Sequence, residues 1–452
     1  MRPFSVKDIG LWLVCMVCVF LLTEFIGFHG HVMQSADFLV RNPIYHTLVT
    51  QDWPLFSARG EYFIYYHAFW LPPAWAAKVM GTAVSADTLL FGWTFTGLAL
   101  ACTLLFFRLR GRTLLFLCVL CLLGCITEDL NPIHDFLATH GQAPALVHAL
   151  NQLGCGSQVR YFHLWGQVVY TFNHAVPMLA VMALLLCGGL PLRYVLYAAA
   201  LVAACTPLGA VALLPLLAAM FLTHRREILR SINVPVLSAC VLLACLAPYF
   251  IGTAGQEGGT SVCWLWGDSP YLNYEGRAFH LLHVRFLRYG LLLVTLFLPM
   301  LLLGCRLLKT RTAAVIAVLG VLLPIIWVGR INNELLYKGS LVLYTLLAYL
   351  YSIRLRHCGD LCRVVLVLFL LLSALHLPSD ALRRDFLHYS WNPAVMKAHR
   401  YDPWEGSLDQ PQDYNYANFF GTNKAPALLY DKAGDAMRQG PLIPFAAKHN
   451  EP

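Results

Sequence analysis

The ionisable side chains most able to do chemistry sit beside apolar runs. Asp37 and Asp52 lie within the segment SADFLVRNPIYHTLVTQDWPLF, Ser35 to Phe56, and Glu61 follows it. Glu128 and Asp129 stand where a later apolar run ends, with His134 and Asp135 beyond; Asp268, Glu275, Arg330, Asn333 and Glu334 occupy later breaks. Carboxylates at the mouth of a helical bundle serve as general bases or as ligands for a divalent cation. Glu128 and Asp129 position an acceptor or hold such a cation, or they simply end the span. Arg330 and Lys338 are placed to neutralise a phosphoryl oxyanion. Lys338 is also four residues after Glu334, the spacing of a helical ion pair. His174 lies three residues before Pro177 in an apolar run, where a polar group is either functional or hydrogen-bonded within the bundle.

Those residues require a scaffold in lipid. Of 452 residues, 58% are hydrophobic and only 12% charged, and mean hydropathy is +0.61. A soluble domain carries about 25% charged residues. Several apolar runs reach the roughly 20 residues that cross about 30 Å of hydrocarbon. Only helices or closed barrels satisfy the backbone there. The runs are Leu- and Ala-rich and continuous, not alternating, which selects helices. The expected fold is therefore all-α: a polytopic transmembrane bundle over 1–378, with 29–60 as its first extracytoplasmic loop. The stretch 379–452, rich in Trp, Tyr, Asn and Asp, is expected to pack on the extracytoplasmic face. The first apolar run reads as an uncleaved helix.

The net charge of +8 does not point to nucleic acid. The basic residues form short clusters between apolar runs: Arg2/Lys7, Arg108 to Arg112, Arg193, Arg225/Arg226/Arg230, Arg306/Lys309/Arg311 and Arg354/Arg356/Arg363. Such clusters mark cytoplasmic loops, so all are placed on one side, with the N-terminus cytoplasmic. The helix Ile9 to Phe28 then runs outward. Thr88 to Phe107 ends at a basic cluster, so Glu61 to Gly81, interrupted by Leu71-Pro72-Pro73, either is re-entrant or interfacial, or crosses and breaks the charge rule. Basic clusters also flank Tyr194 to Leu222, with Thr206-Pro207-Leu208-Gly209 at its centre. Two half-helices meeting there keep both clusters inside, and such breaks are tolerated only when packed in protein or lining a cavity. The remaining expected spans are Thr113–Ile126, Val159–Leu186, Val234–Ile251, Leu287–Gly304, Ala313–Val328, Leu335–Ile353 and Val364–Leu377.

Most of the 15 cysteines lie in apolar runs and read as small buried hydrophobes. The CGDLC pair, Cys358 and Cys362, is too weak a pattern for a metal or redox site. Cys155 and Cys263 fall in separate outer loops, where an oxidising compartment permits a disulfide; two free thiols are the alternative. The Gly-rich GTAGQEGG lacks the Lys-Ser/Thr of a P-loop.

The segment Ser35 to Phe56 resembles the first outer loop of GT-C-type glycosyltransferases, membrane enzymes that take sugar from a polyprenyl-phosphate donor. In that family an Asp follows the first helix, then come an amphipathic helix and an aromatic stretch near a membrane-entering helix. Here Asp37 is that Asp, Tyr45-His46-Thr47-Leu48 lies in the helix, Asp52-Trp53-Pro54 closes it, and Tyr62-Phe63-Ile64-Tyr65-Tyr66 leads to Leu71-Pro72-Pro73. Phe172 to Pro177, Cys205 to Gly209 and Asn332 to Ser340 resemble segments of bacterial members of the superfamily. A DxD signature is absent. The resemblance implies a bacterial cell-membrane enzyme with an extracytoplasmic active face, membrane lipid and a polyprenyl-phosphate-linked sugar as partners, and Asp37 as the base that deprotonates the acceptor. An N-cap for the helix starting near Phe38 is the other reading of Asp37. The substrate-binding set is Asp52, Glu128, Asp129, His174, Arg330, Asn333, Glu334 and Lys338. A transporter or flippase, and a noncatalytic assembly protein, are the competing functions.

Overall fold

The computed structural model describes residues 5–29, 34, 38–53, 62–63, 66–123, 137, 141–152, 161, 164–188, 194–229, 234–254, 261–266, 282–304, 310–329, 333–374 and 420–421. These residues are mostly helical, and five helical stretches are long and apolar enough to cross a membrane. The outward faces are apolar too: Leu13, Val17, Phe20, Leu100, Phe107, Leu214 and Val294 are all exposed. Water does not tolerate so much contiguous apolar surface. The pattern is that of a multi-pass helical membrane protein.

The chain begins with α1 (Val6–Glu24), started by a capping box in which Ser5 and Asp8 exchange hydrogen bonds. There follow α2 (Phe38–Thr50), α3 (Leu71–Met80) and α4 (Ala86–Leu109). Trp12 Nε1 donates to Thr103 Oγ1 at 3.1 Å, while Phe20 packs edge-on against Phe91 at 5.5 Å. The start of α1 thus meets the end of α4, and the two helices are antiparallel. Both the end of α1 and the start of α4 lie at one end of the bundle, together with α2 and α3. Tyr45 of α2 donates to the Ala86 carbonyl at 2.8 Å.

A turn at Arg110–Arg112 separates α4 from α5 (Thr113–Leu122). Arg110 has φ +53°, a left-handed backbone that ends α4. Next come α6 (Pro144–Gln152), α7 (Leu164–Cys187), α8 (Val195–Cys205), α9 (Pro207–Leu229) and α10 (Val234–Ala254). α6 falls between the expected spans Thr113–Ile126 and Val159–Leu186. The thiol of Cys187 donates to the Leu104 carbonyl at 2.7 Å, so α7 ends where α4 ends. Val176 of α7 lies so close to Gly97 that a Cβ there would sit 2.4 Å from Val176 Cγ1. Small residues at such crossings let helices approach in lipid.

The later chain comprises α11 (Leu282–Leu303), α12 (Arg311–Ile325), α13 (Glu334–Arg354) and α14 (Asp360–Ala374). α13 is buried on every face from Lys338 to Ala348, as a central helix must be. It is packed by α5, α7, α9 and α12. Arg311 donates to Thr223, placing the start of α12 beside the end of α9. Arg108 to Arg112 lie beside Tyr349, Ile353 and Arg356, so α13 ends there as well. One end of the bundle therefore gathers the described basic clusters.

The helical bundle also carries two short strand pairs. Ala313–Val328 does not stay helical: after Pro324 the chain extends, and Ile326–Gly329 pairs antiparallel with Ser261–Trp264, Cys263 opposite Trp327. Pro cannot continue the helical hydrogen bonds, and the β-branched and aromatic residues after it suit a strand. Tyr62–Phe63 pairs antiparallel with Phe420–Gly421, the sole described part of 379–452.

Candidate anion-binding site

Helix α7 is irregular where its polar residues sit. Thr171 leaves helical geometry at φ −139° and ψ 43°, and its hydroxyl bonds back to the Gln167 carbonyl at 2.9 Å. Pro177, lacking an N–H, leaves the Asn173 carbonyl without its helical donor. Between these two breaks lie Phe172, Asn173 and His174, all buried. The kink turns His174 towards the junction of α8 and α9, where Thr206 breaks the helix at φ −150° and ψ 81°. The imidazole and the Cys205 carbonyl are 3.0 Å apart through Nδ1. A carbonyl only accepts, so Nδ1 carries the proton and Nε2 of the neutral ring is an acceptor. Gly209 permits this packing, since a Cβ there would stand 2.7 Å from both Met178 Cε and Thr206 Oγ1.

Tyr66, in the turn before α3, meets the His174 ring edge-on at 5.4 Å. Over the same tyrosine, at 5.1 Å, lies the ammonium of Lys338. Lys338 is 6% exposed and pairs with Glu334 at 2.9 Å, the i,i+4 contact its spacing allowed. Arg41 of α2, also buried, stacks its guanidinium 5.3 Å from the Phe172 ring. Both Lys338 and Arg41 are within electrostatic range of His174. Two buried cations, a histidine and a tyrosine ring thus converge from four separate parts of the chain. Desolvated cations favour a nearby anion.

The base of the site is fixed by hydrogen bonds. Asn333 caps α13: its Oδ1 accepts from Leu336 N–H at 3.1 Å, and its Nδ2 donates to the Ile326 carbonyl at 3.0 Å. That use ties α13 to the strand Ile326–Gly329 and holds Glu334 and Lys338 in register. Gln167 of α7 donates to Ser340 of α13 at 2.8 Å. Asn173 is fully buried, and neither amide atom is hydrogen-bonded among the described residues. At the rim, Asp52 is exposed at the end of α2. Lys78 of α3 donates to the Gln51 carbonyl beside it and lies 5.5 Å over Trp53. Burial pulls the Lys78 ammonium below the usual lysine range, and Asp52 opposes that shift.

The structure therefore brings together His174, Glu334 and Lys338 of the expected set, with Asn333 as their support and Asp52 apart at the rim. Asp37, Glu128, Asp129, Arg330 and Cys155 lie outside the described residues. Cys263 sits in the strand Ser261–Trp264. Among the described residues no group of three or more His, Cys, Asp or Glu side chains could hold a metal ion. Sequence reasoning missed Arg41, although a lone cation in the apolar helix Phe38–Thr50, four residues after Asp37, was a usable signal. Comparison with protein-family models, with curated proteins and with solved structures yields no match.

Proposed function

We propose that this protein is a membrane glycosyltransferase of GT-C type, moving a sugar from a polyprenyl-phosphate donor to an acceptor outside the cytoplasm. The observation that carries the proposal is the convergence of Lys338, Arg41, His174 and Tyr66 at the bundle end where α1 hands over to the first loop. In this reading the basic end is cytoplasmic and the site end is extracytoplasmic. The chain between α1 and α4 leaves and re-enters at one end, and α3, with 10 residues, extends only about 15 Å; residues 61–81 then do not cross. The Thr206-Pro207 break likewise turns α8 and α9 into a re-entrant hairpin beside the site.

The chemistry is the one that the GT-C resemblance implies, with Asp37 as the base. Asp37 accepts the proton of the acceptor hydroxyl, whose oxygen attacks the anomeric carbon of the donor sugar. The bond from that carbon to the phosphate oxygen breaks, and the polyprenyl phosphate leaves with its electron pair. Lys338 and Arg41 stabilise the charge that grows on the leaving phosphate. His174 Nε2 accepts a hydrogen bond from a sugar hydroxyl. Glu334 and Asn333 hold Lys338 in position.

The alternative is a transporter, favoured by the broken α8–α9 pair with the buried Thr206 hydroxyl at its centre. One experiment separates the two. In a deletion strain, Asp37→Asn at normal membrane level should abolish the glycan product, since a general base contributes about 10²–10⁴-fold. An unchanged surface-glycan profile would sink the transferase and transfer weight to the transporter or to a noncatalytic assembly role.

A further inference from the structure

The basic end carries a second cationic site that has no part in the proposed transfer. The ends of α4 and α13 and the turns that follow them border an open cavity of about 490 Å³. Arg108 at the end of α4 lines it together with Arg110 and Arg112 of the first turn and Arg356 of the second, while Tyr349 and Ile353 supply an apolar wall. The described residues lining it include no carboxylate. Asp360, close by in sequence, is already paired with Arg363 at 3.2 Å. The topological charge rule accounts for arginines at this end. It does not account for two remote turns aiming them at one cavity, nor for the left-handed backbone of Arg110 that shapes the first turn.

A second feature says what fills it. Helix α4 exposes Trp93, Leu100 and Phe107. Their spacing of seven puts them on one stripe about 21 Å long, and the stripe ends next to Arg108. A cationic cavity joined to an apolar track of that length matches an amphiphile with an anionic head. Guanidinium forks bind phosphate bidentately, and juxtamembrane arginines recognise anionic headgroups.

We propose that this cavity binds the phosphate headgroup of an anionic membrane lipid, with an acyl chain lying along the Trp93–Leu100–Phe107 stripe. The purified full-length protein in detergent is titrated with phosphatidylglycerol, with phosphatidylcholine of the same chains, and with inorganic phosphate, and its thermal unfolding is followed. Phosphatidylglycerol should raise the midpoint, and the other two should not at equal concentration. The variant Arg108→Gln/Arg112→Gln/Arg356→Gln should need about tenfold more phosphatidylglycerol for the same shift. Lys7→Gln/Arg226→Gln/Arg354→Gln removes as much charge from exposed positions at the same end and should respond like the wild type. An equal loss in both variants would overturn the site in favour of diffuse attraction. Equal stabilisation by inorganic phosphate would overturn the lipid assignment. Should the first variant fail to fold, native mass spectra of the wild type decide: one retained phosphatidylglycerol in preference to phosphatidylcholine is expected, and no preference refutes the proposal.

Discussion

The two ends of the bundle both carry cations, yet on opposite physical terms. At the basic end Arg108, Arg226, Arg354 and Arg356 are exposed, so water or headgroups solvate them cheaply. At the other end Lys338 and Arg41 are buried, and each is held individually, by Glu334 and by the Phe172 ring. Taking a cation out of water costs several kcal/mol unless it is compensated. Exposed charge needs no partner to stay where it is, whereas buried charge needs a partner of its own. The largest test of that contrast is all-or-none. Reporter fusions after Arg112 and after Arg226 should both signal cytoplasm, and an external signal at Arg112 would overturn the non-crossing assignment of 61–81.

Function should divide along the same line. Lys338→Gln should lower transfer by about 30–160-fold, the size of a lost charge-assisted hydrogen bond of about 2–3 kcal/mol, with the protein still present in the membrane. Arg356→Gln at the opposite end should leave transfer within about twofold. If both variants lose activity alike, the ends are not functionally distinct and the phosphate role of Lys338 falls. A purely structural Lys338 would instead show as a lowered thermal midpoint with transfer preserved.

How much of this contrast the sequence revealed depends on the range of the interactions involved. Apolar runs set helix positions locally, so α1, α4, α7 and α13 were legible from hydropathy, and the basic clusters told which ends lie together. The strand Ile326–Gly329 was not legible, because its partner Ser261–Trp264 lies far upstream and a strand exists only through its partner. His174 and Lys338 were visible as polar residues in apolar runs. That they face one tyrosine depends on the kink at Thr171 and on the turn carrying Tyr66, and neither is written in periodicity.

Packing between the ends gives a third test. On α4, Gly97 and Gly92 are five residues apart, but a Cβ meets nothing within 4 Å at Gly92 and comes within 2.4 Å of Val176 Cγ1 at Gly97. A valine in a helix is locked at χ1, so it cannot swing away. Gly97→Ala should cost about 1–3 kcal/mol and open the α4–α7 contact on which the site leans. Gly92→Ala should be neutral or stabilising by up to about 1 kcal/mol from helix propensity. Equal thermal midpoints for the two variants would mean that α4 and α7 are not closely packed.

The smallest expected effect belongs to Lys78 at the rim, and it has a sign. Burial lowers its ammonium pKa, and Asp52 offsets this only in part. Between the lowered folded value and the ordinary lysine value of about 10.4, the unfolded chain binds more protons than the folded one. Stability conferred through this residue therefore rises with pH across that window and is flat below it. Lys78→Met removes the slope and also the bond to the Gln51 carbonyl that ties α2 to α3. Thermal midpoints from neutral pH to about 10.4 should climb more for the wild type than for the variant. Asp52→Asn removes the opposing carboxylate, so the folded value drops further and the climb begins at lower pH. A wild-type curve parallel to that of Lys78→Met would mean that the ammonium is solvated, and that the rim of the site is open to water down to α3.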